Sequence, residues 1–152
     1  MTEVERIEDQ MKRAFEGNAW HGPAVLEVLE GVGAEQAARR PIAAAHSIWE
    51  LVLHMNTWKD VAERRLGGDP VKEVPPELDF PPVQGNDAAA WQAAQDGLAA
   101  THQRLTHALG RLRDAQLDEP PPGYGLSRYV LLHGVIQHDL YHAGQIAILK
   151  KG

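Results

Sequence analysis

The chain of 152 residues contains no cysteine, and this absence excludes several kinds of site at once. Disulfide bonds, thiolate metal ligands and a cysteine nucleophile all require that residue. A metal ion would have to be bound by histidine, aspartate or glutamate. Any thiol chemistry would need a thiol supplied by a second molecule.

The sequence also lacks an excess of basic residues and any long apolar run. Lysine and arginine number 15 against 21 acidic residues, which gives a net charge of −6. Nucleic acid binding depends on a basic surface, so we expect no nucleic acid partner. No apolar run reaches the roughly 18 residues of a membrane span, and residues 1–16 do not resemble a signal peptide. We therefore expect a cytoplasmic protein with no membrane partner.

Alternation of period two, rich in valine, isoleucine and threonine, is absent, so no strand is expected. Apolar residues instead recur at helical spacing, which predicts an all-α fold in a single domain, residues 1–152. The predicted long helices cover residues 4–15, 47–66, 87–109 and 127–150. A shorter helix begins near Pro23, as suits a first helical turn, and ends at Gly31 or Gly33. Residues 34–45 are predicted to form a connection.

Two local patterns between these segments are informative. Ser47 and Glu50 form a capping box, which fixes the start of the second long helix. The stretch 69–86 is long for a loop in a compact bundle and contains five prolines, at positions 70, 75, 76, 81 and 82. Because it also carries apolar residues such as Phe80, we expect it to pack against the bundle and cover part of it.

A helical HxxxH pair, His138 and His142, lies in the last predicted helix. This spacing places two imidazoles on one face, one turn apart, where they can share a divalent metal ion. The helix is apolar on more than one side, so both histidines should point into the bundle. No glutamate follows His138, so this is not the HExxH motif of metalloproteases.

The positions of the other histidines leave the third ligand open. His133 is turned about 140° from His138 and cannot easily join the pair. His107 is expected in solvent and His46 at a helix mouth, whereas His54 and His102 remain candidates. A buried histidine can equally be a core residue with a satisfied hydrogen bond. The four tryptophans, at positions 20, 49, 58 and 91, are predicted to be core residues rather than a base-stacking surface.

Two segments together resemble the DinB / YfiT-like superfamily: Ser-Ile-Trp-Glu-Leu-Val-Leu-His at 47–54 and His-Asp-Leu-Tyr-His-Ala-Gly-Gln-Ile at 138–146. The segment Trp20-His21-Gly22-Pro23 resembles one subgroup, and the likeness covers about residues 5–150. The resemblance implies a four-helix bundle with a long crossover connection, and frequent homodimers. It also implies a divalent metal held by three histidines, which here are His54, His138 and His142.

The resemblance further implies a reaction, because the family includes transferases and isomerases that use small thiols such as bacillithiol or mycothiol. We hypothesise that Zn²⁺ or Ni²⁺ keeps one open position for a thiol, whose thiolate attacks a small electrophilic substrate. A metal-dependent thiol S-transferase or a hydrolase-like enzyme would fit. His21 and Gln145 are the candidate catalytic residues, although His21 can equally be structural.

Several alternatives stay open. Glu50 or Asp139 can orient a ligating imidazole, or both can be plain exposed charges. The protein can be a non-catalytic metal- or small-ligand-binding stress-response bundle, whose fourth position is closed by His21 or a carboxylate. It can also be a metal-free dimerising bundle with histidines in its core.

Overall fold

Seven α-helices and one short 3-10 helix make up the computed structural model, which describes residues 1–152. No strand is present, so the all-α prediction is confirmed. The long helices are α1 (Glu3–Phe15), α4 (Ile48–Leu66), α6 (Ala88–Gly110) and α7 (Arg128–Leu149); the short ones are α2 (Val25–Leu29), α3 (Ala34–Ala38), α5 (Pro76–Asp79) and the 3-10 turn Asp114–Gln116.

Each long helix begins at a residue whose side chain accepts a hydrogen bond from the first helical turn. These residues are Thr2, Ser47, Asp87 and Ser127. Such caps satisfy backbone N–H groups that have no partner within the helix. At α4 the Glu50 amide donates to Ser47 Oγ (3.1 Å) and the Ser47 amide donates to Glu50 Oε2 (2.7 Å). The predicted capping box is therefore confirmed.

The four long helices form a bundle in which α1 and α4 each pack against both α6 and α7. The core has two parts, and their members reveal the helix directions. One part joins the end of α1 and the end of α7 to the starts of α4 and α6. The other joins the starts of α1 and α7 to the ends of α4 and α6. Thus α1 and α7 run one way, and α4 and α6 run the other.

Residues 67–87, which we call the crossover, must therefore return along the bundle to connect α4 with the parallel helix α6. A helix of 19 residues such as α4 spans about 28 Å, a distance that 21 linking residues reach easily. Prolines suit this path because they favour extended backbone and need no N–H partner. The crossover contains α5, which packs on α4. This is the long connection that the family resemblance implied.

Three details differ from the sequence predictions. Residues 34–38 are the helix α3 rather than part of a connection, because burial of Ala37 compensates for the short length of this segment. Pro23 precedes the cap of α2, Ala24, so it lies outside the first helical turn. Trp20 is fully exposed and belongs to no core, whereas Trp49 and Trp91 are buried as predicted.

Helix α7 is apolar around most of its circumference, but only its inner side is covered by the bundle. Its exposed residues carry no charge, and we call them the α7 outer face: Tyr129, Val130, Gln137, Tyr141, Gly144 and Ile148. The length and apolar character that a membrane-crossing helix requires are found together in none of the helices.

Candidate metal centre

Three histidines from two helices meet at one point between α4 and α7. His138 Nε2 lies 3.0 Å from His54 Nε2 and 3.0 Å from His142 Nε2. The ligand atoms of all three lie within 4.8 Å of one another. The HxxxH spacing accounts for the pair on α7. The third member, His54, comes from the second turn of α4 and is buried. The structure therefore brings together the three histidines that the resemblance selected.

Hydrogen bonds on the far side of two rings determine which nitrogen faces the cluster. His54 Nδ1 lies 2.8 Å from the carbonyl oxygen of Asp79, and His142 Nδ1 lies 2.6 Å from Gln145 Oε1. Both partners are carbonyl oxygens, which only accept, so each Nδ1 carries the proton and donates. The Nε2 atoms of His54 and His142 consequently present lone pairs to the cluster. Outer-shell hydrogen bonds of this kind commonly orient metal-binding histidines.

This arrangement leaves electrostatic repulsion between lone pairs at the centre of the cluster. His138 Nε2 can donate at most one proton, yet it lies 3.0 Å from two nitrogens that both present lone pairs. At least one contact between lone pairs therefore remains when the imidazoles are neutral. A cation bound by all three Nε2 atoms removes this repulsion, and neutral imidazole suits divalent zinc, nickel, copper and iron. The three-histidine cluster can thus bind a metal ion.

Burial favours the neutral, metal-binding form of these imidazoles. Desolvation, together with the neighbouring His142 and His54 rings, lowers the pKa of His138 to about 3. Desolvation also lowers the pKa of His142, partly opposed by its hydrogen bond to Gln145. Both histidines are therefore uncharged at neutral pH, so formation of the imidazolium ion does not compete with metal binding there.

The crossover covers the cluster from outside. The Phe80 ring stacks on His54 at 4.0 Å and on His46 at 3.7 Å, so it lies between two imidazoles. Asp79 supplies the carbonyl bound to His54, and its carboxylate accepts a hydrogen bond of 2.7 Å from Trp58 Nε1. The apolar residues of this loop predicted that it packs against the bundle, but no sequence pattern connected Asp79 and Phe80 with the site. The only indication in the sequence was that Asp79 and Phe80 stand side by side in a long proline-rich loop.

Comparison with known proteins agrees with the geometry. A family model described as the DinB superfamily matches residues 19–146. The chain belongs to the DinB superfamily. All three clustered histidines lie within the residues that the DinB superfamily model matches. No curated protein and no solved structure matches the chain.

The two candidate catalytic residues lie in different surroundings within this DinB-superfamily bundle. Gln145 Oε1 accepts a hydrogen bond from His142 Nδ1, on the side of the ring away from the cluster. Its position is that of a residue that orients a ligand. His21 is exposed, makes no hydrogen bond or ion pair with its side chain, and lines neither of the two large pockets. The structure thus does not bring His21 to the three histidines.

The two carboxylates considered as orienting groups do not contact the clustered imidazoles. Glu50 caps α4 and pairs with Arg40, and its nearest histidine is His46 at 3.7 Å. Asp139 is neither an orienting group nor an exposed charge, because it is completely buried and pairs with Lys59 at 2.6 Å. Both expectations for Asp139 were wrong because this residue, although next to His138 in sequence, points about 100° away from it into the bundle.

Asp139 belongs to a buried polar group that links three helices. Lys59 from α4 donates to Asp139 Oδ2 of α7, and its Nζ lies 3.4 Å from His102 Nδ1 of α6. Burial, with Lys59 and Lys12 nearby, lowers the pKa of His102 to about 3, so this ring is neutral and accepts from Lys59. His102 is thus a core histidine rather than a metal ligand. His107 is exposed, as predicted.

Two pockets flank the cluster and contact it through different histidines. Pocket A has a volume of about 410 Å³ and reaches His138; pocket B, of about 440 Å³, reaches His142 and Gln145. His133 lines pocket A and stays out of the cluster, as its angular position predicted. Most of the residues lining each pocket are hydrophobic, which is typical of sites for small organic molecules.

Proposed function

We propose that this protein binds one Zn²⁺ or Ni²⁺ ion through His54, His138 and His142, and transfers a small thiol to an organic electrophile. One observation carries the proposal: three imidazoles converge through their Nε2 atoms, and no fourth protein ligand joins them. The group of potential ligand atoms within 4.8 Å contains these three histidines and no carboxylate. Three protein ligands with one open position are typical of catalytic zinc, whereas structural zinc has four.

The same observation weighs against a closed, non-catalytic metal site. That alternative requires His21 or a carboxylate at the fourth position. His21 is exposed and does not belong to the group of ligand atoms that lie within 4.8 Å of one another. The Asp79 carboxylate lies on the Nδ1 side of His54, 3.1 Å from that atom. Neither group therefore supports closure around the Nε2 atoms.

Each residue of the site has a defined task in the proposed transfer. A divalent metal, when bound, supplies the positive charge that lowers the pKa of a thiol to the neutral range. Gln145 and the Asp79 carbonyl hold the two imidazoles in the ligating orientation. Phe80 covers His54 with an aromatic ring and keeps water from that side. The thiol loses its proton to solvent, its sulfur forms a bond to carbon, and the leaving group departs with the electron pair of the carbon bond that breaks.

Two pockets that reach the cluster through different histidines suit a reaction with two organic reactants. Pocket A contacts His138 and pocket B contacts His142, so each reactant can approach the cluster from a pocket of its own. The absence of cysteine is consistent with this scheme, because the sulfur has to come from the co-substrate.

Metal content tests the ligand set directly. Protein purified without a histidine tag should contain about one zinc or nickel ion per chain by elemental analysis. The single variants His54→Ala and His138→Ala should lose it, because two imidazoles bind a divalent ion far more weakly than three. His107→Ala, which removes an exposed histidine, is the matched control. Stoichiometric metal in the double variant His54→Ala, His142→Ala would disprove the site.

A second experiment separates transfer from mere binding. The metal-loaded protein is incubated with a panel of low-molecular-weight thiols and an alkylating electrophile, and thioether formation is measured. In parallel, the Co²⁺-substituted protein is titrated with each thiol, since a thiol ligand changes the cobalt absorption spectrum. If no thiol gives turnover and none changes the cobalt spectrum, the non-catalytic metal-binding bundle remains as the function.

A further inference from the structure

Arg65, near the end of α4, is a buried cation without an anionic partner. Only 5% of this residue is exposed, yet its guanidinium takes part in none of the ion pairs that arginines form in the protein. Buried charges in proteins are almost always paired, because removing a charge from water is costly. The neighbouring Arg64 shows the ordinary situation: it is half-exposed and pairs with Asp69 at 2.7 Å.

The contacts of Arg65 fix its guanidinium and leave one edge free. Nε donates to the Val71 carbonyl of the crossover at 2.9 Å, and the guanidinium carbon lies 4.0 Å from the centre of the Tyr124 ring. The two terminal nitrogens have no hydrogen-bond partner in the protein. They are also not among the buried unpaired polar atoms, so they keep contact with solvent.

Pocket A is the space that Arg65 lines, and the same pocket extends to His138 of the cluster. Its remaining walls include the aromatic rings of Trp58, Tyr124 and Tyr129. Lys59 also lines the pocket, but its charge is compensated by Asp139. The pocket thus offers aromatic walls, one uncompensated guanidinium and contact with the cluster.

We propose that pocket A binds a small organic carboxylate, with its carboxylate on the terminal nitrogens of Arg65 and its apolar body against the aromatic walls. A guanidinium edge with two parallel N–H donors matches a carboxylate in a bidentate pair. Phosphate sites usually add backbone N–H groups at a helix start, whereas Arg65 is at the end of α4. That this ligand is the electrophilic substrate rests on the proposed function; that it binds at Arg65 does not.

The test compares a carboxylate with its uncharged amide on metal-free protein, so that the anion cannot bind a metal ion instead. The probes are 3-phenylpropionate and 3-phenylpropanamide. Binding is followed by the indole N–H resonance of Trp58, assigned with Trp58→Phe, because this ring lines pocket A. The carboxylate should bind at least about tenfold more tightly than the amide, as expected for a charged hydrogen-bonded pair.

Variants then locate the preference. Arg65→Gln should reduce carboxylate affinity at least about tenfold and leave amide affinity unchanged, and Arg65→Lys should restore part of the preference. Arg64→Gln, one residue away and exposed, is the matched control and should bind like the wild type. Equal affinity for carboxylate and amide in the wild type, or a preference that survives Arg65→Gln, would overturn the proposal.

A pocket-filling variant keeps the test valid if Arg65→Gln does not fold. Gly134 lines pocket A, and a Cβ added to it meets no atom within 4 Å. Gly134→Leu should abolish binding of 3-phenylpropionate without lowering stability, because helices favour leucine over glycine. The control Gly97→Leu replaces a helical glycine with similar free space that does not line the pocket. Full carboxylate affinity in Gly134→Leu would place the ligand elsewhere.

The outcome is independent of the metal site. Carboxylate binding that depends on Arg65 in protein whose metal content proves to be zero would support the pocket and refute the proposed transfer. Metal binding without any carboxylate preference would refute the pocket alone.

Discussion

At the scale of single residues, the candidate centre depends on hydrogen bonds that the HxxxH motif does not reveal. The motif accounts for two imidazoles on one side of α7, but the motif leaves the proton position on each ring undetermined. Gln145 determines it for His142 by accepting from Nδ1, and a backbone carbonyl does so for His54. Gln145, a candidate catalytic residue in the sequence, thus has a position suited to orienting a ligand.

Replacement of Gln145 should weaken metal binding without removing any ligand. Gln145→Leu leaves the His142 ring without its acceptor, so the Nδ1 proton no longer fixes the lone pair on Nε2. We expect zinc affinity to fall about 10- to 100-fold, as is typical for loss of such a group. Competition with a chromophoric chelator measures the affinity. Gln137→Leu, an exposed glutamine of the same helix, is the control, and equal affinities in the two variants would contradict this role.

At the scale of elements, the contact between α4 and α7 combines the site with a buried ion pair. His54 and Lys59 lie about a turn and a half apart on α4. His54 faces His138 of α7, and Lys59 pairs with Asp139, the next residue of that helix. The ion pair therefore helps to determine the rotation and register of α7 against α4. A bundle in which α7 turned by one residue, so that Asp139 took the place of His138, would move His138 to the exposed position of Gln137.

Disruption of this pair should cost more stability when one partner is removed than when both are. Lys59→Met leaves the Asp139 carboxylate buried without its partner, and such changes usually cost about 3–5 kcal/mol. The double variant Lys59→Met, Asp139→Leu removes both charges and should recover most of that loss. Urea unfolding of the metal-free proteins gives both free energies. A double variant as unstable as Lys59→Met would mean that the ion pair is not the source of the loss.

At the scale of the whole molecule, the uncharged α7 outer face favours a homodimer. The net charge of −6 makes copies of the chain repel each other, so an interface between them is expected where the surface carries no charge. The α7 outer face is an exposed surface of this kind that extends along a 22-residue helix. A helix that is apolar on all sides is normally covered on all sides. We therefore propose that a second copy of the chain covers it.

A charge placed on this face should separate the copies. Sedimentation velocity of the wild type should give twice the 16.7 kDa mass of the chain. Tyr141→Glu should give the monomer, because the interface would then bury a carboxylate from each copy. Leu78→Glu changes an exposed apolar residue of the crossover instead and should remain dimeric. A monomeric wild type would refute the proposed homodimer.

The sequence alone determined the features that depend on residues close together in the chain. Helical spacing and caps such as Ser47 fixed the four long helices, because a helix is specified by contacts within a few residues. The missing cysteines limited the ligands to histidine and carboxylate. The HxxxH spacing placed His138 and His142 on one face of α7. The third histidine, however, was identified only by resemblance to a family.

The tertiary structure determined the contacts that depend on which helices pack against each other. It joined His54 to the pair on α7, buried Asp139 against Lys59, and placed Phe80 of the crossover over the cluster. It also left Arg65 buried without an anion, which no local pattern could signal, because an unpaired charge is defined by what surrounds it in space. Packing between distant segments sets burial and pairing, and those two properties give the same residue types different chemistry.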